Sequence, residues 1–424
     1  MSSSTPPDQK LADQKLADQK LDVAPPYNAV ARHGVSPTPS HDEVARFDFL
    51  ANFNKFLSGT LGPGNQLAYD RRVLPAFLKE HGREPQDRFE IRRAMNDDSF
   101  HKFWSALKRN SMEMRQQNGR SMVLRQIGEL NAKARQFNEG RDTLELHPEI
   151  EVPRYQSAVD IHCMPGSYHG EELSGDISAG ANYDCGIFAT TAGGLGALSD
   201  GGGQALVDWI KKERPGWQPR RMLDIGTTVG HNIVPLALAF PDCEFIAIDT
   251  AAPILRYAHA RAQSLGAINI RFIQANAEDL TRWDDGTFDW VQTTMFLHET
   301  SGKALPKIIA EGYRVLANNG LMLHLEQPEY SDAMPLFEQF LRDWDAFNNN
   351  EPFWSSMHAL DMKDEMVTAG FDREELFETG VRAVVDKEIF PEAPTGADED
   401  HGRAAYWHAY GAWKNADQIQ EAAE

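Results

Sequence analysis

From about residue 204 onward, short apolar runs alternate with amphipathic helical patterns, and this alternation constrains the fold more than any other feature of the sequence. Strands that alternate with helices form a mostly parallel sheet with helices on both faces. The sequence therefore predicts an α/β domain with a Rossmann-like, seven-stranded sheet, preceded by a mainly helical region. The strand patterns lie at 222–225, 244–249, 268–274, 288–293 and 321–326, with two more runs near 376 and at 381–390.

A glycine-containing turn follows the first strand pattern. Residues 223–230 read LDIGTTVG, where the glycines permit a tight turn and let backbone N–H groups approach a ligand closely. The second strand pattern ends in Asp249, within the roughly 20 residues that separate such a turn from its acidic partner in dinucleotide-type sites. A carboxylate at that strand end can accept hydrogen bonds from both hydroxyls of a ribose.

Three further elements follow in order. Asn276 and Ala277 come just after the third strand, where a polar side chain and a backbone N–H can read an adenine edge. The fourth strand leads into Met295 and the sequence FLHE, and a helix pattern at 311–320 turns into the fifth strand. Each element is common alone, but five elements in this order and spacing form a specific pattern.

Together the five elements resemble the class I S-adenosylmethionine-dependent methyltransferases, in particular the broad group that contains the ubiquinone and menaquinone biosynthesis methyltransferases. The resemblance covers about residues 205–390. It implies that the domain binds S-adenosylmethionine and releases S-adenosylhomocysteine. The cofactor-binding residues that it implies are Asp224, Gly226, Thr227, Thr228, Gly230, Asp249, Thr250, Asn276, Ala277 and Thr293.

Two residues depart from the pattern of the family. Thr228 stands where the family usually has glycine, and a β-branched residue resists positive φ. Asn276 stands where aspartate is usual, which keeps an acceptor oxygen but loses the charge. The resemblance leaves open a degenerate domain without cofactor. An NAD site is disfavoured, because Thr228 replaces the middle glycine of the G-x-G-x-x-G turn.

His298 is the candidate general base. It follows the fourth strand at the rim where this fold binds ligands, and an imidazole can take up a proton near neutral pH. The alternative is that His298 only orders its loop. Glu326, at the end of the fifth strand, is a second catalytic candidate, again with a structural role as its alternative. Glu299 is expected to be structural.

Residues 141–203 are irregular and rich in Gly, Pro, Tyr and His. Loops that carry such residues on a rigid scaffold often line active sites. Tyr168, His169 and Tyr183, together with Met295 from the other half of the chain, are therefore predicted to contact the substrate.

Composition and repeats divide the chain. Residues 1–40 carry a short DQKLA repeat and several prolines, and they predict a disordered tail. A helical, substrate-covering region is predicted at 41–203 and the cofactor domain at 204–392, with a lid insertion at about 330–360. Residues 393–424 are predicted as a C-terminal tail or helix.

The charge of the chain argues against two classes of partner. With 63 acidic against 42 basic side chains, the formal net charge is −21, and the sequence shows no basic cluster for a nucleic-acid phosphate backbone. No apolar segment approaches the length of a membrane span. We therefore expect neither a nucleic-acid partner nor a membrane span.

The three cysteines, Cys163, Cys185 and Cys243, contain no C-x-x-C pair. With His162 and His169 they match no standard zinc spacing, so no metal site is predicted. The odd number of cysteines and the lack of a signal-like segment predict a cytoplasmic location.

The predicted function is transfer of a methyl group to a small, apolar or aromatic acceptor, with O-methylation favoured. Aromatic residues at 330–360 and the additions on both sides of the cofactor domain suggest an enclosed pocket, although the same apolar surface could form a homodimer. The alternatives are a methyltransferase fold that uses the cofactor for another reaction, a non-catalytic binding protein, and a methyltransferase that acts on proteins.

Overall fold

The computed structural model describes residues 23–382 and 406–415. The first part of the chain is mainly helical, as predicted. Short π-helical turns at Leu57–Leu61 and Tyr69–Val73 join the early helices into one continuous path. The helices are α1 His41–Phe56, α2 Pro63–Ala68, α3 Leu74–His81, α4 Arg88–Met95, α5 Ser99–Arg125, α6 Ile127–Asn138, α7 Arg154–Ser157 and α8 Ser178–Thr191.

Local capping explains where the long helices of this region begin. Ser40 and Glu43 form a capping box at the start of α1, each side chain accepting a hydrogen bond from the backbone N–H of the other residue. Asp98 accepts hydrogen bonds from the backbone N–H groups of Phe100 and His101 at the start of α5. These caps satisfy backbone donors that the first turn of a helix leaves without partners.

The second part of the chain supplies the remaining helices. Helices α9 to α12 alternate with strands, α13 to α15 occupy the predicted lid span, and α16 follows them. Their bounds are α9 Gly201–Glu213, α10 Ile233–Ala239, α11 Ala252–Ser264, α12 Ala304–Val315, α13 Leu336–Arg342, α14 Trp344–Asn348, α15 Trp354–Met357 and α16 Met362–Ala369.

Within residues 23–382 and 406–415, eight strands form one sheet in the order β1-β4-β3-β2-β5-β6-β8-β7. β8 runs antiparallel to both of its neighbours, and the other pairs are parallel. The predicted Rossmann-like α/β fold is confirmed, with one strand more than expected. The strands are β1 Leu144–Glu145, β2 Arg221–Ile225, β3 Glu244–Asp249, β4 Ile270–Gln274, β5 Phe288–Thr294, β6 Leu316–Glu326, β7 Leu376–Arg382 and β8 Tyr406–Trp413.

The structure differs from the sequence prediction at both ends of the sheet. Leu144 and Glu145 of the helical region pair with β4, so that region completes the sheet instead of only covering it. β8 lies where a tail or helix is predicted, and it is held between β6 and β7 by pairing on both sides. The strand predicted at 381–390 lies mostly outside the described residues.

The segment before α1 also differs from the predicted disordered tail. Tyr27 and Val35 are buried, and the Tyr27 ring stacks on Phe47 of α1 with ring centroids 4.2 Å apart. Aromatic stacking of this kind stabilises a segment that composition alone marks as polar. Residues 1–22 lie outside the described residues.

Apolar side chains cover both faces of the sheet and form two cores. Leu223 and Ile225 belong to the core under α12 and α16, whereas Met222 belongs to the core under α9 and α10. This alternation follows from the period of two in a strand. In the part of the chain that the structure describes, no helix combines the length and apolarity that a membrane crossing requires.

A buried carboxylate joins the helical region to the sheet domain. Asp184 of α8 accepts hydrogen bonds from Tyr257 Oη (2.6 Å), His231 Nε2 (2.6 Å) and His33 Nε2 (2.8 Å). Burial alone would raise the pKa of Asp184, but the hydrogen bonds from His231 and His33 hold it well below its usual value. One ionised side chain therefore connects four separate segments of the chain.

We predict that Asp184→Ala lowers the free energy of unfolding by about 3–5 kcal/mol, because buried donors lose their shared acceptor. Urea denaturation followed by far-ultraviolet circular dichroism measures the change. Asp208→Ala, at an exposed position on α9, is the control and should stay within about 0.5 kcal/mol of the unmodified protein. Equal effects of the two substitutions would contradict a joining role for Asp184.

Candidate functional site

A narrow cleft with a cavity volume of about 20 Å³ opens at the carboxyl ends of β2, β3 and β5. Parallel α/β sheets bind ligands at this edge, where the strand order reverses. The cleft brings together seven of the residues that the sequence singles out and adds five others. The predicted residues are Gly226, Thr228, Asp249, Thr250, Met295, Tyr168 and His169, and the additional ones are Val152, Gln156, Ala251, Phe296 and Glu299.

Several predicted residues lie outside the lining of the cleft. Asn276 Oδ1 accepts a hydrogen bond from the backbone N–H of Glu278 (2.9 Å), within the turn after β4. Thr293 is fully buried, with its hydroxyl 2.8 Å from His324 Nδ1. Tyr183 packs edge-on against Tyr168 with ring centroids 5.5 Å apart. The predicted residues Asp224, Thr227, Gly230 and Ala277 also lie outside the lining. The cofactor and substrate roles predicted from the sequence stay predictions, for these residues and for those that line the cleft.

The glycine turn adopts the backbone conformation that its sequence suggests, except at one residue. Gly226 (φ 71°), Thr228 (φ 47°) and Gly230 (φ 79°) all lie in the left-handed region. Glycine is required at 226, since an added Cβ would lie 2.2 Å from the Phe296 ring. At Thr228, by contrast, the positive φ destabilises the fold by about 1–3 kcal/mol. Its N–H donates to Asp249 Oδ2 at 3.2 Å, which ties the turn to β3.

Two acidic side chains lie beneath this turn without a cationic partner. Burial raises the pKa of Asp224 to about 7, and the charge of Asp249 adds to the effect. Burial also raises the pKa of Asp249 to about 6, although Ala251 and Thr228 donate backbone hydrogen bonds to it. No ion pair in residues 23–382 and 406–415 involves either carboxylate. Asp249 lines the cleft, whereas Asp224 does not, so a cationic ligand in the cleft would be stabilised by Asp249 directly.

Glu326 organises the loop that follows β5. Its carboxylate accepts hydrogen bonds from the backbone N–H groups of Phe296 (2.9 Å) and Leu297 (2.7 Å) and from His298 Nδ1 (2.8 Å). Burial disfavours the charged imidazole, but Glu326 and Glu351 outweigh it and raise the pKa of His298 to about 9. His298 therefore holds a proton at neutral pH. Neither His298 nor Glu326 lines the cleft.

Glu299 is the carboxylate of this loop that does line the cleft, although the sequence suggested only a structural role. Its Oε1 accepts hydrogen bonds from Tyr168 Oη (2.8 Å) and His162 Nε2 (3.1 Å). His162 Nδ1 in turn lies 2.9 Å from Glu351 Oε1 in the lid span. The His-Cys-Met-Pro-Gly loop is a sequence signal that could have identified His162, whereas no local pattern marks Glu351.

The loop that carries His162 has an unusual backbone. His162 (φ 53°), Cys163 (φ 56°) and Ser167 (φ 51°) are all left-handed, as is Met295 (φ 48°), which lines the cleft. Residues other than glycine adopt this conformation at a cost, and they concentrate at functional sites. The positive φ values support the assignment of this region as the site.

The cysteines take no part in a metal centre of the described residues, where no group of three or more His, Cys, Asp or Glu side chains is arranged to hold an ion. Cys163, Cys185 and Cys243 are all free and buried. Burial raises the pKa of the Cys163 thiol to about 11, so that it is protonated at neutral pH.

With this geometry established, comparison with known proteins decides the family of the domain. Residues 222–320 match the family model described as "Methyltransferase domain". This segment is a methyltransferase domain. The predicted class I fold and S-adenosylmethionine as the cofactor of that class are confirmed, whereas the helical region before it has no family match.

The curated relatives differ in what they methylate. Demethylmenaquinone methyltransferase of Thermus thermophilus is 34% identical over 110 residues, which cover 26% of this chain and 48% of the relative. Malonyl-[acyl-carrier protein] O-methyltransferase of Methylococcus capsulatus is 32% identical over 127 residues, or 30% of this chain and 44% of the relative. Ribosomal RNA small subunit methyltransferase G of Bacteroides fragilis is 36% identical over 134 residues, which cover 31% of this chain and 61% of the relative.

The chain spans about half the length of the curated relatives it matches. Among solved structures, YcgJ of Bacillus subtilis is 19% identical with a TM-score of 0.35, and the alignment covers 49% of this chain and 97% of that chain. The methylated acceptor is therefore not established by these comparisons.

We predict that Thr228→Gly raises the free energy of unfolding by about 1 kcal/mol, because glycine adopts the left-handed conformation without steric cost. Thr227→Gly is the matched control, since Thr227 has no positive φ, and it should destabilise the protein. Urea denaturation of both variants measures the difference. If both substitutions destabilise the protein equally, the backbone at Thr228 is not strained.

We predict a pH-dependent effect for Glu326→Gln. The raised pKa of His298 means that the ion pair stabilises the fold fully below about pH 6.5, the usual histidine pKa, and loses this contribution as the pH rises through about 9. The variant should therefore be less stable by about 3–5 kcal/mol at pH 6, and the gap should narrow toward pH 9.5. Chemical denaturation at several pH values tests this, and a constant gap would contradict it.

Proposed function

We propose that the chain is an S-adenosylmethionine-dependent methyltransferase that acts on a small acceptor enclosed between the sheet edge, the helical region and the lid span. The observation that carries the proposal is the cleft itself, which combines the glycine turn, the acidic end of β3 and a carboxylate beyond Met295 within the matched domain.

The residues in the cleft fit the cofactor. Asp249 would receive the ribose hydroxyls, and the N–H groups of the turn at 226–230 together with Asp224 would hold the methionine end. The Asp249 carboxylate, which has no cationic partner among the described residues, suits a cationic ligand, and S-adenosylmethionine is one. When bound, S-adenosylmethionine supplies a methyl group on a positively charged sulfur.

The helical region helps to form the cofactor part of the cleft. Gln156 Oε1 accepts a hydrogen bond from Thr250 Oγ1 at 2.7 Å, directly beside Asp249. The backbone N–H of His147 donates to Gln274 at the end of β4 (3.0 Å). These contacts hold residues 147–156 over the carboxyl edge of the sheet, where they would exclude water from a bound ligand.

The acceptor end lies beyond Met295, where Phe296, Glu299 and Tyr168 meet. The Phe296 ring packs directly against Gly226. We assign His298 and Glu326 a positioning role, because they fix this loop from outside the cleft. The sequence favoured an oxygen acceptor because His298 could act as the base that deprotonates a hydroxyl. Since His298 is already protonated at neutral pH, it cannot act as that base, and the preference for oxygen loses its support.

A small acceptor is favoured over RNA, although one of the relatives is named as a ribosomal RNA methyltransferase. The chain carries a net charge of −21, and electrostatic repulsion opposes contact with a phosphate backbone. The cleft is also roofed by the helical region. A cytoplasmic location and a homodimer stay predictions.

Calorimetric titration with S-adenosylhomocysteine tests the cofactor site. We expect micromolar binding, and Asp249→Asn should weaken it by at least about tenfold, since a hydrogen bond to a charged group contributes about 1.5–3 kcal/mol. Asp242→Asn is the matched control, because Asp242 is exposed before the opposite end of β3. Absence of binding, or equal effects of both variants, would contradict the proposed function.

A further inference from the structure

Glu299 presents one occupied and one open carboxylate oxygen. Oε1 accepts the hydrogen bonds from Tyr168 and His162, which fix the carboxylate in place. Oε2 accepts no hydrogen bond from any residue in the ranges 23–382 and 406–415, and Glu299 lines the cleft beside Met295. Glu299 is 8% exposed, so the protein screens its charge little from a bound ligand, and a ligand that donates a hydrogen bond to the accessible Oε2 would be stabilised.

A second carboxylate, that of Glu351, contacts the same histidine as Glu299. Glu351 Oε1 accepts a hydrogen bond from Asn349 Nδ2 (2.6 Å) and pairs with His162 Nδ1 (2.9 Å). Its Oε2 is buried without a hydrogen-bond partner, and the nearest cationic group is His298 Nε2 at 3.6 Å. The His162 ring therefore bridges Glu299 and Glu351, and each keeps one oxygen free of hydrogen bonds.

The charged groups that face the cleft are acidic. Neither lysine nor arginine occurs among its lining residues in the described chain, whereas Asp249 and Glu299 both do. His169 adds no positive charge at neutral pH, because burial lowers its pKa. The buried Arg115 does not line the cleft, and its guanidinium donates to Thr190 and to the carbonyl of His162.

His162 does carry a proton beside Glu299: burial disfavours the charged imidazole, but Glu351 and Glu299 outweigh it and raise the pKa of His162 to about 10. This one imidazolium pairs with two carboxylates, Glu299 and Glu351. Negative charge therefore remains in excess, and the cleft would attract cationic acceptors more than anionic ones.

We infer that Glu299 binds the protonated amine of the acceptor, so that the methylated atom is nitrogen. This inference rests on the proposed function. Tyr168 and His162 are the positioning residues, since both hold Oε1 and leave Oε2 for the ammonium group. Tyr168 and Phe296 line the cleft together with Glu299, and aromatic rings attract a cation more than an anion.

The transfer of the methyl group to nitrogen requires only Glu299, the acceptor amine and the bound cofactor. The ammonium group gives one proton to Glu299 Oε2 and becomes a neutral amine. The nitrogen lone pair then forms the new nitrogen–carbon bond, while the electron pair of the carbon–sulfur bond stays with sulfur. The product leaves as a methylammonium ion, and Glu299 returns its proton to water when the cleft opens.

Three probes of similar shape test the inference: 2-phenylethylamine, 2-phenylethanol and 3-phenylpropionate. Each is titrated calorimetrically into the protein saturated with S-adenosylhomocysteine. We expect the amine to bind at least about tenfold more tightly than the alcohol, as a charge-assisted hydrogen bond predicts, and the carboxylate to bind most weakly. With S-adenosylmethionine, mass spectrometry should detect methylation of the amine alone.

Glu299→Gln removes the charge and keeps the shape of the side chain. We expect it to reduce the affinity for the amine by at least about tenfold and to leave that for the alcohol nearly unchanged. Glu113→Gln is the matched control, because Glu113 lies on α5, pairs with Arg109 and does not line the cleft.

Equal or tighter binding of the alcohol or the carboxylate, binding of none of the three probes, or an amine preference that persists in Glu299→Gln would overturn the inference. The comparison among probes uses the unmodified protein, so it decides the matter even if the variant fails to fold. Loss of S-adenosylhomocysteine binding itself would instead refute the proposed function, and the two failures are therefore distinguishable.

Discussion

The geometry of the site depends on one buried carboxylate, that of Glu326 at the end of β6. A carboxylate at 0% exposure persists only when its oxygens are well satisfied, and here two backbone N–H groups and a protonated imidazole satisfy them. The same bonds hold the loop after β5 in a fixed path. That path includes the left-handed Met295 and places Phe296 and Glu299 in the cleft.

The helical region is part of the site because its connections to the sheet are polar and buried. Asp184 joins α8 to α11 and to the residue after the glycine turn, and β1 extends the sheet at β4. On the other side, Arg88 of α4 donates to Asp343 at the lid helices (2.8 Å). Paired buried charges of this kind specify one arrangement, since any shift would leave a charge without its partner.

Local patterns in the sequence were sufficient to predict the fold and about half of the residues that line the cleft. The strand periodicity, the glycine turn and Asp249 could be predicted because each is encoded by residues close together in the chain. Strands β1 and β8 could not be predicted, because each forms a strand by pairing with a segment that is distant in the chain. The same reason hid the link from Glu299 through His162 to Glu351, which joins three segments separated by up to about two hundred residues.

The electrostatics of the cleft connect cofactor and acceptor. A sulfonium and an ammonium ion repel each other, so a site for both needs negative charge, and Asp249 and Glu299 both line the cleft. An ammonium nitrogen has no lone pair with which to attack, so the group that binds it must also remove a proton. A carboxylate fixed by Tyr168 and His162 meets both requirements, whereas the protonated His298 meets neither.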